Sequence, residues 1–135
     1  MTYEELLAVW TLIEKIEAEE MRIEEWRLLA ESIATPPMTG MPQSKSQTSR
    51  VEKIALKIVE AEQKITAMNE ELLTLKTKLF EAIKAVDLPP ILKRLLICRY
   101  VVCLPYPVIA KRLGYTRRHI SNLHDTALKK LGMSD

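Results

Sequence analysis

The chain has 135 residues, 47% of them hydrophobic and 5% aromatic, with 20 Lys and Arg against 18 Asp and Glu. Three glycines and seven prolines leave little material for a sheet-rich fold with many tight turns, and this apolar content at near-neutral charge argues against global disorder. With glycine only at Gly40, Gly114 and Gly132, no glycine-rich phosphate cradle, dinucleotide fingerprint or nucleophile elbow can be written, so neither an enzyme nor a cofactor is expected.

The opening MTYEELLAVW lacks the basic start and apolar core of a signal peptide. No stretch approaches the roughly 18 uncharged apolar residues of a membrane span, so the expectation is a cytoplasmic protein without a membrane partner. Cys98 and Cys103 are five apart in a helical pattern, which suits neither a disulfide nor a zinc site lacking further paired ligands; they read as ordinary buried thiols. The small net charge conceals an asymmetry. Residues 1–34 carry −6, residues 35–50 +2, residues 51–87 −1 and residues 88–135 +7, which raises the odds of a polyanionic partner for the last segment.

The first helix is expected over residues 3–33, opened by Thr2 and Glu5 as a capping box. Its seam is Val9, Leu12, Ile16, Glu19, Ile23, Trp26, Ala30 and Ile33, apolar except for Glu19. Residues 35–50 hold Pro36, Pro37, Pro42, Gly40 and a run of small polar residues, and read as a flexible linker. Ser49 and Glu52 repeat the capping box and open a second helix that runs to about residue 86. Its seam, Val51, Ile54, Ile58, Ala61, Ile65, Met68, Leu72, Leu75, Leu79, Ala82 and Val86, alternates steps of three and four without a break. Two arrangements bury it: a homodimer through the first and second helices, or an antiparallel hairpin within one chain. Leu6, Leu7, Trp10, Ile13, Leu28 and Leu29, with Val59, Leu73 and Phe80, leave apolar material for a further contact.

Asp87 to Pro90 end the second helix, because proline disfavours helical geometry in the residue before it and suits the first turn of the next helix. A third helix over residues 90–102 presents Ile91, Leu95, Cys98 and Val102 on one face, and Leu104 to Pro107 is a turn. From Tyr106, the run YPVIAKRLGYTRRHISNLHDTALKKL has helix-turn-helix spacing. Ala110 is small where two helices cross, Gly114 falls where the turn needs a positive φ, and Thr116 caps the second motif helix. Ile109, Leu113, Ile120 and Leu123 close the core, continued by Ala127, Leu128 and Leu131.

That packing leaves Arg117, Arg118, Ser121, Asn122 and Asp125 outward. Arg117, Arg118, Ser121 and Asn122 are the base-proximal candidates, since Arg pairs bidentately with guanine and Asn with adenine. Lys111, Arg112, Thr116, His124, Lys129 and Lys130 are the phosphate-side candidates, with His124 alternatively a packing residue and His119 a flank of the reading surface. His119 and His124 are five apart and do not share the face of an i, i+4 metal pair, so no metal is expected.

Arg99-Tyr100, Ile109-Ala110, Leu113-Gly114, Thr116-Arg117 through Ile120, Ala127-Leu128 and Lys130-Leu131 make residues 90–132 resemble the fourth region of sigma-70-type factors, which reads promoter DNA through a helix-turn-helix. The whole layout also resembles small prophage-encoded regulators of Gram-positive bacteria, including the ArpU-type late transcriptional regulators. The resemblance implies a transcriptional regulator that binds double-stranded DNA, with RNA polymerase as a further possible partner. Pro105 and Pro107 replace the polar and acidic residues usual in sigma factors, and no other sigma region is present, so promoter melting is not implied. Arg118 stands where sigma factors often have an acidic reader. Alternative readings are a DNA-packaging recognition subunit, whose usual domain order is reversed here, and a protein-interaction adaptor.

The expected fold is therefore all-α: a helical hairpin or coiled coil over residues 1–87, with the linker at 35–50, followed by a three-helix helix-turn-helix domain over residues 88–135.

Overall fold

The computed structural model describes residues 1–34 and 45–133. Among them there are five α-helices, one π-helical turn and no strand: α1 (Tyr3–Ala34), α2 (Lys45–Ala85), α3 (Pro90–Leu96) continued by the π turn (Ile97–Val101), α4 (Tyr106–Leu113) and α5 (Arg117–Lys130). No helix among the described residues is long and apolar enough to cross a membrane.

Thr2 opens α1 as expected, its hydroxyl accepting from the Glu5 amide at 3.1 Å, but no reciprocal bond from the Glu5 carboxylate is made. The start of α2 departs from expectation. It begins at Lys45, so Ser49 and Glu52 lie inside the helix rather than capping it, and residues 35–44 of the expected linker lie outside the described residues. Lys, Gln, Ser and Arg sustain helix geometry at modest cost, and neither glycine nor proline stands between Pro42 and Pro89 to break it.

The described residues form two compact units, and α1 and α2 contribute to both. In the unit Glu14–Glu70 the two helices run antiparallel, with ion pairs from Arg27 to Glu62 at 2.9 Å and from Lys64 to Glu19 at 3.0 Å. Ile16, Ile23, Ile54 and Ala61 are buried there, and Val51, Ile58, Ile65 and Met68 half-buried. Glu19, the one polar residue of the first seam, is thus answered by a lysine from the other helix. Trp26 is half-buried beneath two cations, Arg22 and Lys57, 4.8 and 5.9 Å from its ring. Part of the seam is thus buried within this unit, and part of it remains half-exposed.

The other unit joins Met1–Ile13 to Glu71–Asp135, and the compact units therefore do not divide at residue 87. The physical reason is its core. Leu6 and Val9 from α1, Leu79 and Ile83 from α2, Leu88, Leu92, Leu96, Tyr100 and Val101 around α3, and Ala127 from α5 form one buried cluster. Leu7, Trp10 and Ile13, expected to be available for a further contact, pack against the same cluster.

The π turn alters the expected third helix. Inserting one residue per turn rotates the register, so Tyr100 and Val101 are buried and Val102, expected inside, is 45% exposed. The turn closes through Val102 N–H to Ile97 O at 3.0 Å and Leu104 N–H to Cys98 O at 2.9 Å. Cys103 follows with φ of 63°, a left-handed conformation rare for a residue with a Cβ. Both cysteines are free; Cys98 is buried and Cys103 half-buried, and burial raises the Cys103 thiol above its ordinary value.

Because α1 supplies core to a unit built mainly from residues 71–133, Leu6→Ala is expected to lower global stability by about 2–5 kcal/mol, as a fully buried leucine does on truncation. Leu28→Ala, at a position 62% exposed, should stay within about 0.5 kcal/mol. Urea unfolding followed by circular dichroism compares the two.

Candidate nucleic-acid interface

Two short helices present the candidate surface. α4 begins at Tyr106, inside the segment expected to be a turn, because the missing amide of Pro107 falls in the first helical turn, where it has no intrahelical partner. Ile109 and Ala110 are buried on its inner face. Gly114 ends it at φ 77° and ψ 31°, and the Ala110 carbonyl accepts from both Gly114 N–H and Tyr115 N–H at 2.9 Å. Nothing lies within 4 Å of where a Cβ on Gly114 would stand, so the demand for glycine is conformational rather than steric.

Thr116 then caps α5, its hydroxyl accepting from His119 N–H at 3.1 Å while its carbonyl accepts from Ile120 N–H at 3.0 Å. Ile120 and Ala127 are fully buried. Ile120 belongs to a second cluster with Leu95, Cys98, Ile109 and Ala110, flanked by Leu104, Tyr106, Leu113 and Leu123. Rotation of α5 is therefore fixed by apolar contacts on one side.

The opposite side carries the residues singled out from the sequence. Arg117, Arg118, Ser121 and Asn122 are all exposed, in two i, i+4 pairs in the first two turns of α5. Lys111 and Arg112 are exposed in the last turn of α4, and Lys129 and Lys130 in the last turn of α5. Among the described residues, none of these six cations makes an ion pair, whereas Arg27, Lys64 and Lys84 each lie against a glutamate. His119 is exposed with its ring 4.8 Å from that of Tyr115, itself 42% exposed in the turn. Thr116 is exposed, though its hydroxyl is engaged by the cap.

His124 is the exception. It is 8% exposed and hydrogen-bonded through Nε2 to the Tyr100 hydroxyl, with the Tyr106 ring edge-on at 5.7 Å, so it is a packing residue and not a phosphate ligand. Its place four residues after Ile120 and three before Ala127 puts it on the buried stripe. Its Nδ1 lies 3.9 Å from the exposed carboxylate of Asp125.

A stack that no local pattern discloses leads away from this histidine. The Arg99 guanidinium lies 4.2 Å from the Tyr106 ring and 4.9 Å from the Trp10 ring, and donates to Leu104 O at 3.0 Å. The Trp10 indole donates to Arg99 O at 2.8 Å. Contacts thus run from α1 through the π turn to α4 and α5. Arg99-Tyr100 was visible as a motif, but its partners stand 89 and 24 residues away.

Burial holds the His124 imidazole below the ordinary histidine range; Asp125 opposes that shift and Arg99 adds to it. Burial, reinforced by Tyr106 and Tyr3, raises the Tyr100 phenol, and Arg99 opposes. A histidine whose folded-state value is lowered binds its proton more readily when unfolded. Its contribution is complete above the unfolded value near 6.5 and is lost as pH falls toward the folded value. The urea midpoint should therefore drop between about pH 7.5 and 5.5, and His124→Gln, which keeps a polar partner for Tyr100 but does not titrate, should flatten that dependence. An unchanged slope in His124→Gln would place the pH sensitivity elsewhere.

No protein-family model, curated protein or solved structure matches this chain, so its functional reading rests on the residues and geometry above.

Proposed function

We propose that the chain binds duplex DNA sequence-selectively through α4 and α5 and acts as a transcriptional regulator. The observation that carries this reading is the two-sided construction of α5. Its apolar side is locked into the core, while its outer side offers two arginines, a serine and an asparagine at the capped N-terminal end, between pairs of cations that make no ion pair among the described residues. Unpaired cations held apart from carboxylates suit phosphates, whose neutralisation releases condensed counterions. Arginine and asparagine on one stripe, about 6 Å apart along the axis, suit base edges in a major groove wide enough to admit a helix. A glycine turn followed by a threonine cap is the connection a helix-turn-helix needs, which supports this reading of α4 and α5. The regulatory role follows the resemblance to the fourth sigma region and to prophage regulators.

Sites are to be selected from random duplex DNA, and affinities measured for the best and a scrambled site. Wild-type affinity is expected to fall steeply between about 50 and 200 mM salt. Arg118→Ala and Asn122→Ala should each reduce discrimination by about 1–3 kcal/mol, while Lys129→Ala should weaken both duplexes alike and lower the salt slope by about one. Equal losses on both duplexes for the first two variants would reassign those side chains to the backbone, and no duplex binding at low salt would favour the adaptor reading.

A further inference from the structure

Two aromatic rings stand clear of the core at the N-terminal end of α5. Tyr100 is buried and Tyr106 packs against the second cluster, whereas Tyr115, in the turn before α5, is 42% exposed and belongs to neither cluster. Its ring meets that of His119, also exposed, with the centroids 4.8 Å apart and the planes inclined at 55°. Both residues are hydrogen-bonded through their backbones alone among the described residues. Tyr115 N–H donates to the Ala110 carbonyl at 2.9 Å, closing the turn, and His119 N–H donates to the Thr116 hydroxyl at 3.1 Å, closing the cap. Turn and cap therefore hold the two backbones in place while the ring faces stay in water.

Resting on the reading of α5 as a recognition helix, we propose that the Tyr115–His119 ring pair takes the 5-methyl group of a thymine in the major groove, beside the base edge read by Asn122. His119 precedes Asn122 by three residues, which sets it about 60° round the helix. It lies between Asn122, which is exposed, and Leu123, which is half-buried, and so at the rim of the outward stripe. Arginine, serine and asparagine on that stripe serve the hydrogen-bonding groups of base edges. The thymine methyl is the apolar group of the same groove, and none of those side chains suits it. An asparagine paired with adenine N6 and N7 leaves the methyl of the opposite thymine on the same groove floor, where an adjacent aromatic face can bury it. The six exposed cations of α4 and α5 already suit phosphates, whereas no other aromatic ring of α4, the turn or α5 is exposed among the described residues. A ring pair ordered before binding loses little freedom on contact.

The test takes the full-length chain and the best duplex selected from random DNA, with each thymine replaced in turn by deoxyuridine, which pairs alike but lacks the methyl. Wild-type affinity is expected to fall about fourfold at one such position, the worth of burying one methyl group. Tyr115→Ala and His119→Ala should each weaken binding to the thymine duplex and bring that ratio close to one. Tyr115→Phe, which keeps the ring and drops the hydroxyl, should retain the ratio. Circular dichroism confirms that each variant is folded. A wild type indifferent to every replacement overturns the proposal, as does a ratio that survives both alanine variants. Equal weakening by Tyr115→Phe and Tyr115→Ala on both duplexes also overturns it, giving the phenol to a phosphate. No duplex binding at low salt overturns the DNA reading itself, whereas sequence-selective binding blind to the methyl overturns this proposal alone.

Discussion

The structure depends on one apolar contact set, the burial of Leu92, Leu96, Tyr100 and Ala127 against Leu6, Val9, Leu79 and Ile83. α3 and α4 are short, of 7 and 8 residues, and helices of that length are marginal in isolation because nucleation is costly. α3 persists because the long helices α1 and α2 supply a wall for it to pack on, and α4 because it closes a second cluster with α3, the π turn and α5. The same requirement explains why the compact units divide within α1 and α2 rather than at the prolines near residue 89. Proline marks a change of chain direction, and it does not mark where core contacts stop.

The π turn between α3 and α4 is the adjustment that makes this packing possible. A continuous α-helix would have placed Val102 inside. The wider turn instead buries Tyr100 and Val101, so that the phenol faces His124 on α5 and the Arg99 guanidinium passes between Trp10 and Tyr106. A cation between two aromatic faces, donating to a carbonyl, has its charge answered without a carboxylate. Polar groups inside this unit are thus satisfied by one another: no buried side-chain nitrogen or oxygen among the described residues lacks a partner.

Such internal economy gives the outer face of α4 and α5 its character. Along α1 and the facing part of α2, Arg27 and Lys64 reach across to glutamates; on α4 and α5, none of the six exposed cations makes an ion pair among the described residues. Exposed pairs contribute little to stability, about 0–1 kcal/mol. The distribution of charge therefore bears on partners far more than on the fold, and it separates an acidic first helix from a basic C-terminal surface on a chain of net charge +2.

Sequence by itself determined the helical class, the two seams, the Thr2 and Thr116 caps, the left-handed Gly114 and the outward stripe of Arg117, Arg118, Ser121 and Asn122. Each follows from spacing within a few residues, where helical periodicity and backbone sterics act without regard to the rest of the chain. The rest came from tertiary packing: which seam residues are buried and which are only half-covered, that His124 faces inward to Tyr100, that Trp10 joins Arg99 across 89 residues, and that α1 contributes to the C-terminal core. These pairings join side chains far apart in sequence, and a periodic pattern states that a face must be covered without stating what covers it. A histidine on the boundary between apolar and polar stripes is the plainest case, since its periodicity admits either side and only the neighbouring phenol selects one.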